Sequence, residues 1–303
     1  MEFERHELPQ PFYGSVNVYR VGDTLVDTGH VAATCAEQLR EAVLSGPLQG
    51  VERVVLTHPH IDHLGGSQII PELADLPHIV YEGVPEVVHG FDDYLRQVHD
   101  EIRTMGSGLS VDLDVVIETY FPTGEYTESG VDIERVVSDG DTLTVGEHTC
   151  EVVHTPGHSA QHMALVPADS ETVFSADLVS RNGHFMFGPL HADIRAYQDS
   201  LRRLRDLQAG RLLPGHGEVI DAPAARIDDA LQKAEQSATA ICRAVDAVDG
   251  RVPARRLARD VFGANDRTVS FLTFVVCAYL DYLAEKGELT VRNEADGVFA
   301  VSA

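Results

Sequence analysis

Lysine is almost missing from this chain: only Lys233 and Lys286 occur, and arginine supplies the rest of the basic residues. Positive charge is scarce altogether, with 23 basic side chains against 48 acidic ones and a formal net charge of −25. So acidic a surface stays hydrated and soluble, at a cost in self-repulsion that concentrated salt screens. That balance suits a halophile's cytoplasmic protein, which is the compartment we expect. Cysteine is sparse too. Cys35, Cys150, Cys242 and Cys277 stand far apart, form no Cys-x-x-Cys pair and have apolar or small neighbours, the pattern of reduced, packed thiols. No apolar run is long enough to span a bilayer; residues 271–280 stop at Asp281 and read as a buried helix. Residues 1–10 are polar and charged, so no signal peptide is expected. A glycine-rich phosphate loop and a dinucleotide fingerprint are likewise missing. What remains is a 303-residue chain, 44% apolar, with core enough for one large or two ordinary domains.

The chain does have histidine, in clusters. Residues 57–66 read Thr-His-Pro-His-Ile-Asp-His-Leu-Gly-Gly and follow the apolar Val54-Val55-Leu56. A strand ending in a tight loop can aim His58 and His60 to one side of a metal pocket. Asp62 and His63 then come from the other side as the Gly65-Gly66 pair turns the chain into a helix. Imidazoles mixed with a carboxylate suit zinc, iron or manganese. Three more clusters sit after short apolar strands: His154-Thr155-Pro156-Gly157-His158, Asp177 behind residues 172–176, and His216 in Pro214-Gly215-His216-Gly217.

Together these motifs resemble the metallo-β-lactamase fold superfamily over about residues 12–220. The resemblance implies an α/β fold, a four-layer αβ/βα sandwich with two divalent metal ions. His58, His60 and His158 would form a first site and Asp62, His63 and His216 a second, with Asp177 bridging them; zinc is the expected metal, iron or manganese the alternatives. Asp62 and His63 are the expected catalytic pair, Asp62 also taking up a proton. Asp27 resembles the family's buried aspartate beneath the metal loop. His154 is expected to orient its loop, and His184 and His191 lie in a segment that lines the pocket in relatives. Flavodiiron relatives carry Glu where His60 stands, and RNA-processing relatives insert a domain between the bridging Asp and the last His; neither feature is present here. The His-Thr-Pro-Gly-His segment most resembles glyoxalase II, although that enzyme's glutathione-binding basic residues have no match.

Residues 16–19 and 24–26 flank Gly22-Asp23 as a hairpin, and residues 33–44 carry Leu39, Val43 and Leu44 on a helical stripe. Residues 85–104 repeat apolar positions at helical spacing and open an insertion of about residues 84–130, whose His89 and His99 read as solvated. Strands alternating with helices argue for two sheets sandwiched by helices. From 223 the pattern changes to three helices (224–248, 253–262, 269–287) and a hairpin through 293–296. That is the plan of a C-terminal winged helix, giving domains of 1–222 and 223–303.

The expected chemistry is hydrolysis of an ester, thioester or lactone by a metal-bridged hydroxide, on a small-molecule substrate, with no membrane partner and with homodimerisation an option. One competing reading is an endoribonuclease or phosphodiesterase. Residues 223–303 hold 10 bases and 12 acids, net −2, against 13 and 36, net −23, in residues 1–222. Residues 251–267 are locally basic through Arg251, Arg255, Arg256, Arg259 and Arg267, and so could meet nucleic acid. A second is a mononuclear-iron persulfide dioxygenase held by His58, His158 and Asp177. A purely structural metal site is the third.

Overall fold

A computed structural model describes residues 1–11, 14–106, 113–122, 130–169, 171–180, 193–266, 268–294 and 297–303. His184, His191 and Arg267 lie outside them. The hairpin over Gly22-Asp23 forms as its turn chemistry dictates, joining β2 (Gly14–Val21) to β3 (Thr24–Val26). The first ten residues, polar as they are, supply β1 (Glu4–Gln10), which adds antiparallel to β2 along its length. Its mixed burial explains why no apolar alternation advertises it.

The chain then builds parallel strands by helical crossovers. Helix α1 (Ala33–Ser45) leads to β4 (Arg53–Val55), α2 (Ile61–Ile69) and α3 (Pro71–Ala74) lead to β5 (His78–Tyr81), and α4 (Val84–His89), α5 (Phe91–Met105) and α6 (Leu113–Tyr120) lead to β6 (Ile133–Val137). The first sheet runs β1-β2-β3-β4-β5-β6. On α1 the inward face is Cys35 and Leu39, while Leu44 is 47% exposed. Residues 85–104 are not one helix: Gly90 leaves helical geometry (φ −109°, ψ 35°) and divides α4 from α5. Nor is His99 solvated. It is buried, with Nε2 2.8 Å from the carbonyl of Phe121.

The second sheet comprises β7 (Thr142–Val145), β8 (His148–His154), β9 (Met163–Pro167), β10 (Thr172–Ala176) and, after helix α7 (Ile194–Asp206), the parallel β11 (Arg211–Pro214), in the order β11-β10-β9-β8-β7. Period-two alternation assigns its faces. Val152, Leu165, Phe174 and Leu213 point into the core shared with the first sheet. Their neighbours Val153, Ala164, Val173 and Leu212 point outward, against Tyr197, Leu201 and Leu204 of α7. The same outer core continues into α8 (Pro223–Asp246), α9 (Ala254–Phe262) and α10 (Val269–Glu285). A three-stranded sheet of β12 (Val252–Pro253), β14 (Gly297–Ser302) and β13 (Leu289–Glu294) closes the chain. Phe274 of α10 packs with Val98, Ile102 and Ile117, so the insertion helices rest on the C-terminal helices.

The Gly65-Gly66 pair does not turn the chain, because α2 already starts at Ile61 and runs through it. Its purpose is close approach. A Cβ on Gly66 would lie 2.2 Å from the carbonyl oxygen of Thr28, and one on Gly65 2.4 Å from the Val31 nitrogen. Thr28 O meanwhile accepts the Gly66 N–H at 3.1 Å, and Thr28 N–H donates to His63 O at 2.7 Å. Gly66→Ala must therefore push α2 off the loop after β3, and we expect a loss of about 2 kcal/mol or more by urea unfolding. Wild-type stability would show that the helix shifts freely.

Candidate metal centre

Every candidate ligand sits just beyond the carboxyl end of a strand. His58 and His60 follow β4, with Asp62 and His63 in the first turn of α2; His158 lies in the β8–β9 loop, Asp177 ends β10, and His216 is in the turn after β11. The seven converge. Potential ligand atoms of His58, His60 and His158 lie within 4.8 Å of one another, and so do those of Asp62, His63 and His216. A third such group joins His58 and His63 to Asp177. The Asp177 carboxylate reaches both sides: Oδ1 is 3.3 Å from His63 Nε2, while Oδ2 is 3.4 Å from His158 Nε2 and 3.1 Å from His216 Nε2. Asp62 Oδ2 lies 3.3 Å from His216 Nε2.

Buried partners fix the rings from outside. Asp27 Oδ2 is 2.8 Å from His63 Nδ1 and accepts the Thr57 hydroxyl, while Oδ1 accepts the Thr57 N–H. Thr57 Oγ1 in turn meets His58 Nδ1 at 3.0 Å. His216 Nδ1 donates to the carbonyl of Ser15 at 2.8 Å. With their Nδ1 atoms engaged outward, these three rings present Nε2 inward, the usual setting of metal-bound histidine. The inward Nε2 of His58 has no hydrogen-bond partner among the described residues, and His63 Nε2 and Asp177 Oδ1 face each other as an ion pair at 3.3 Å without hydrogen-bond alignment. Orphaned donors and acceptors are costly in a protein interior, and a divalent cation fits this set of nitrogens and carboxylate oxygens.

Backbone strain gathers at the same place. Asp27 (φ 63°) and Ala176 (φ 39°), which precedes Asp177, both hold left-handed conformations that L side chains rarely adopt. The turn carrying His216 is gripped by the first sheet: Asn17 N–H donates to Gly215 O, its Nδ2 to Pro214 O and Gly217 O, and the Tyr19 hydroxyl to Pro214 O. Gly215 has to be glycine. A Cβ there would stand 2.1 Å from Asp177 Oδ1 and 2.6 Å from His63 Cε1.

Electrostatics divide the cluster. Burial, aided by neighbouring imidazoles, pulls His58 and His60 well below the usual histidine range. Burial also opposes the charge on His216, but the carboxylates of Asp177 and Asp62 outweigh it and carry its pKa up to about 10. His63 is raised in the same way by Asp177, Asp27 and Asp62 against burial. Burial disfavours ionised Asp62 and Asp177, yet His63 and His216 hold both carboxylates below their ordinary range. In the metal-free protein His63 and His216 thus pair as cations with Asp62 and Asp177, while His58 and His60 are held neutral.

Of the remaining expected site residues, His154 lies outside the cluster. Its Nε2 is 2.8 Å from Ala160 O, in the loop that carries His158, and its ring stacks on Tyr81 at 4.6 Å. Three positions carried no functional reading in the sequence. Thr57 links Asp27 to His58; His162, buried, joins Thr155 Oγ1 to the Asp177 N–H; and His78 binds Ser67 Oγ at 2.8 Å beneath α2. Burial pushes His162 down to about 3.

A family model described as the metallo-beta-lactamase superfamily matches residues 12–216. The chain belongs to that superfamily. It is 28% identical to the probable metallo-hydrolase YqjP of Bacillus subtilis, covering 96% of this chain and 95% of that protein. It is 29% identical to the Beta-lactamase-like protein 2 homolog of Caenorhabditis elegans, over 74% of this chain but only 63% of the relative. An atrochrysone carboxyl ACP thioesterase of Aspergillus fumigatus matches at 28% identity over 65% of this chain and 48% of its own length. Among solved structures, the metallo-beta-lactamase family protein TTHA1429 of Thermus thermophilus superposes with a TM-score of 0.76 at 20% identity, over 99% of this chain and 98% of that one, which shows the shared fold. The superfamily match and the metallo-hydrolase relative mark the chain as a metallo-hydrolase-type enzyme, and the fold implies divalent-metal binding, for which this His/Asp cluster is the candidate.

Because imidazole must be neutral to ligate, cation uptake on the Asp62 side has to displace the protons that Asp177 and Asp62 stabilise on His63 and His216. Uptake should release protons at neutral pH and weaken as pH falls. Titration calorimetry in buffers of different ionisation enthalpy checks this, and uptake without proton release would count against ligation by His63 and His216.

Proposed function

We propose that the protein is a dinuclear, zinc-dependent hydrolase of a carboxylic ester, thioester or lactone. The observation that carries the reading is a second buried ligand group, Asp62, His63 and His216, next to the first, with the Asp177 carboxylate within 3.1–3.4 Å of members of both. His58, His60 and His158 would hold one ion, Asp62, His63 and His216 the other, and Asp177 would serve both. When bound, the ion pair supplies an activated water and a Lewis acid for the carbonyl. The chain's own contribution is orientation and proton handling. Asp27 and Thr57 set the His63 and His58 rings, Ser15 O sets His216, and Asp62 stands ready to take the proton that the attacking water gives up. The thioester option is supported by the resemblance to the Aspergillus thioesterase.

A persulfide dioxygenase would need only His58, His158 and Asp177, and would leave the complete second group without a task. A closed structural site needs four ligands, fewer than the seven that converge here. We read residues 1–222 as the catalytic domain and 223–303 as a winged-helix-like unit, with His184 and His191 assigned to the substrate side. Three of the arginines that made 251–267 look basic pair with acids: Arg256 with Asp260 at 3.1 Å, Arg259 with Asp266 at 2.8 Å, and Arg251 with Glu294. Arg251 also lies over the Phe299 ring, 4.2 Å from its centre. Arginines spent on internal pairs attract phosphate weakly, which favours packing over nucleic-acid binding as this unit's role.

Metal analysis of protein purified without chelators, with a panel of thioester, lactone, phosphodiester and RNA substrates, tests the proposal. Asp177→Asn keeps the side chain's shape but loses its charge, and we expect one metal per chain to be lost and turnover to fall by about a hundredfold or more. Two retained metals with near-normal turnover would remove Asp177 from the bridging role. Wild-type protein should fail to bind RNA at moderate salt. Tight RNA binding that Arg255→Gln, Arg256→Gln and Arg259→Gln together abolish would overturn the packing role and promote the nuclease reading.

A further inference from the structure

The structure assigns His162 as a positioning residue for Asp177, tying the loop of His158 to the carboxylate shared by both ligand groups. The assignment rests on the dinuclear reading above.

The side chain is wholly buried behind the cluster, its ring centre 5.1 Å from that of His58 and 5.7 Å from that of His158. It is no ligand, because both its nitrogens are engaged elsewhere. Nε2 lies 3.1 Å from the backbone nitrogen of Asp177, and Nδ1 lies 2.7 Å from Thr155 Oγ1. A backbone N–H can only donate, so Nε2 is the acceptor and the ring proton sits on Nδ1, donated to Thr155. The tautomer is therefore fixed by chemistry at both ends.

That single ring bridges two segments that secondary structure leaves apart. Thr155 N–H donates to His162 O at 2.9 Å, closing the loop of residues 155–162 that carries His158. Asp177 stands at the other end of the bond, immediately after Ala176, whose left-handed φ of 39° takes the chain out of β10. A residue leaving a strand through a strained conformation needs its next N–H held, or the carboxylate it aims will wander. The following residue extends the tie: Met163 N–H donates to Thr57 O at 3.0 Å, next to His58. Loop 155–163 thus connects the segments bearing His58, His158 and Asp177, with the His162 ring holding the Asp177 backbone N–H. Outer partners of this kind change metal affinity when removed, typically by tenfold to a hundredfold.

The test compares two uncharged amides that reach different ends of the ring. In His162→Gln the amide oxygen falls near the Nε2 position and can still accept the Asp177 N–H. In His162→Asn the amide falls near Nδ1, keeping Thr155 and losing Asp177. The readouts are metal affinity by competition with a chromophoric chelator and the visible spectrum of the cobalt(II)-substituted protein, with thermal unfolding alongside. We expect His162→Asn to bind its metals about tenfold to a hundredfold more weakly, with an altered cobalt spectrum, and His162→Gln to stay within a few-fold of wild type. Equal affinities in the two variants would overturn the assignment, since a general packing role does not distinguish them. If His162→Asn does not fold, the ring tautomer of the wild-type protein decides: nitrogen-15 NMR should find the proton on Nδ1 with Nε2 accepting, and a proton on Nε2, which could not accept from the Asp177 N–H, overturns the proposal. A wild-type chain that takes up no metal would instead fail the hydrolase reading, and the two failures are thereby told apart.

Discussion

Desolvation governs this protein. Five imidazoles and two carboxylates meet in a pocket where every one of them has lost most of its water, and each polar atom there must be satisfied by a neighbour, an ion or a hydrogen bond from behind. The outer bonds of Asp27, Thr57 and Ser15 hold Nδ1 of His63, His58 and His216 and turn each Nε2 toward the cluster, while His162 holds the Asp177 N–H. Much else in the fold serves that arrangement. Two glycines inside α2 let the helix press against the loop carrying Asp27 and Thr28, and a third in the β11 turn leaves room for the shared carboxylate. Left-handed residues at Asp27 and Ala176 aim the groups that follow.

The ligand positions were readable because metal chemistry demands residue types that are rare in such density. His58, His60, Asp62 and His63 within six residues, and the Pro-Gly-bounded histidines further on, announce themselves without a structure. Strand and helix order was readable for a related reason: apolar runs end where the clusters begin. Beyond Asp27 and His154, the supporting residues were not readable. Thr57, His78 and His162 take their meaning from partners in other elements, and a lone histidine near a Pro-Gly turn looks the same whether it ligates, braces a loop or faces water. His99 shows the converse error, an insertion histidine expected in solvent that is buried against Phe121 O. Strand β1 escaped because its burial follows no two-residue period, and the break at Gly90 because glycine inside an apolar periodicity does not by itself end a helix.

The C-terminal helices illustrate how charge counts and packing diverge. By composition residues 223–303 stand apart from the strongly acidic remainder, which suggests a module with its own business. By packing they continue the outer core of the second sheet through α7, and Phe274 reaches the insertion helices. Three of the arginines in 251–267 face acids, Asp260 and Asp266 of the same segment and Glu294 of β13. These helices back the insertion and the second sheet at once.

The grip of the first sheet on the His216 turn has a consequence for how the molecule is made. Ser15 and His216 are bonded across 201 positions of sequence, and Asn17 and Tyr19 hold the same turn from the same distant strand. On a chain growing from its amino end, four of the seven candidate ligands are synthesised early, yet the last one takes its place only after β11 has joined β10 and met β2. Contacts this remote form slowly, because the long intervening chain must first be ordered. A nascent chain can therefore offer a cation only an incomplete His58–His63 cluster, and a mature centre marks the closing of the two sheets rather than its beginning.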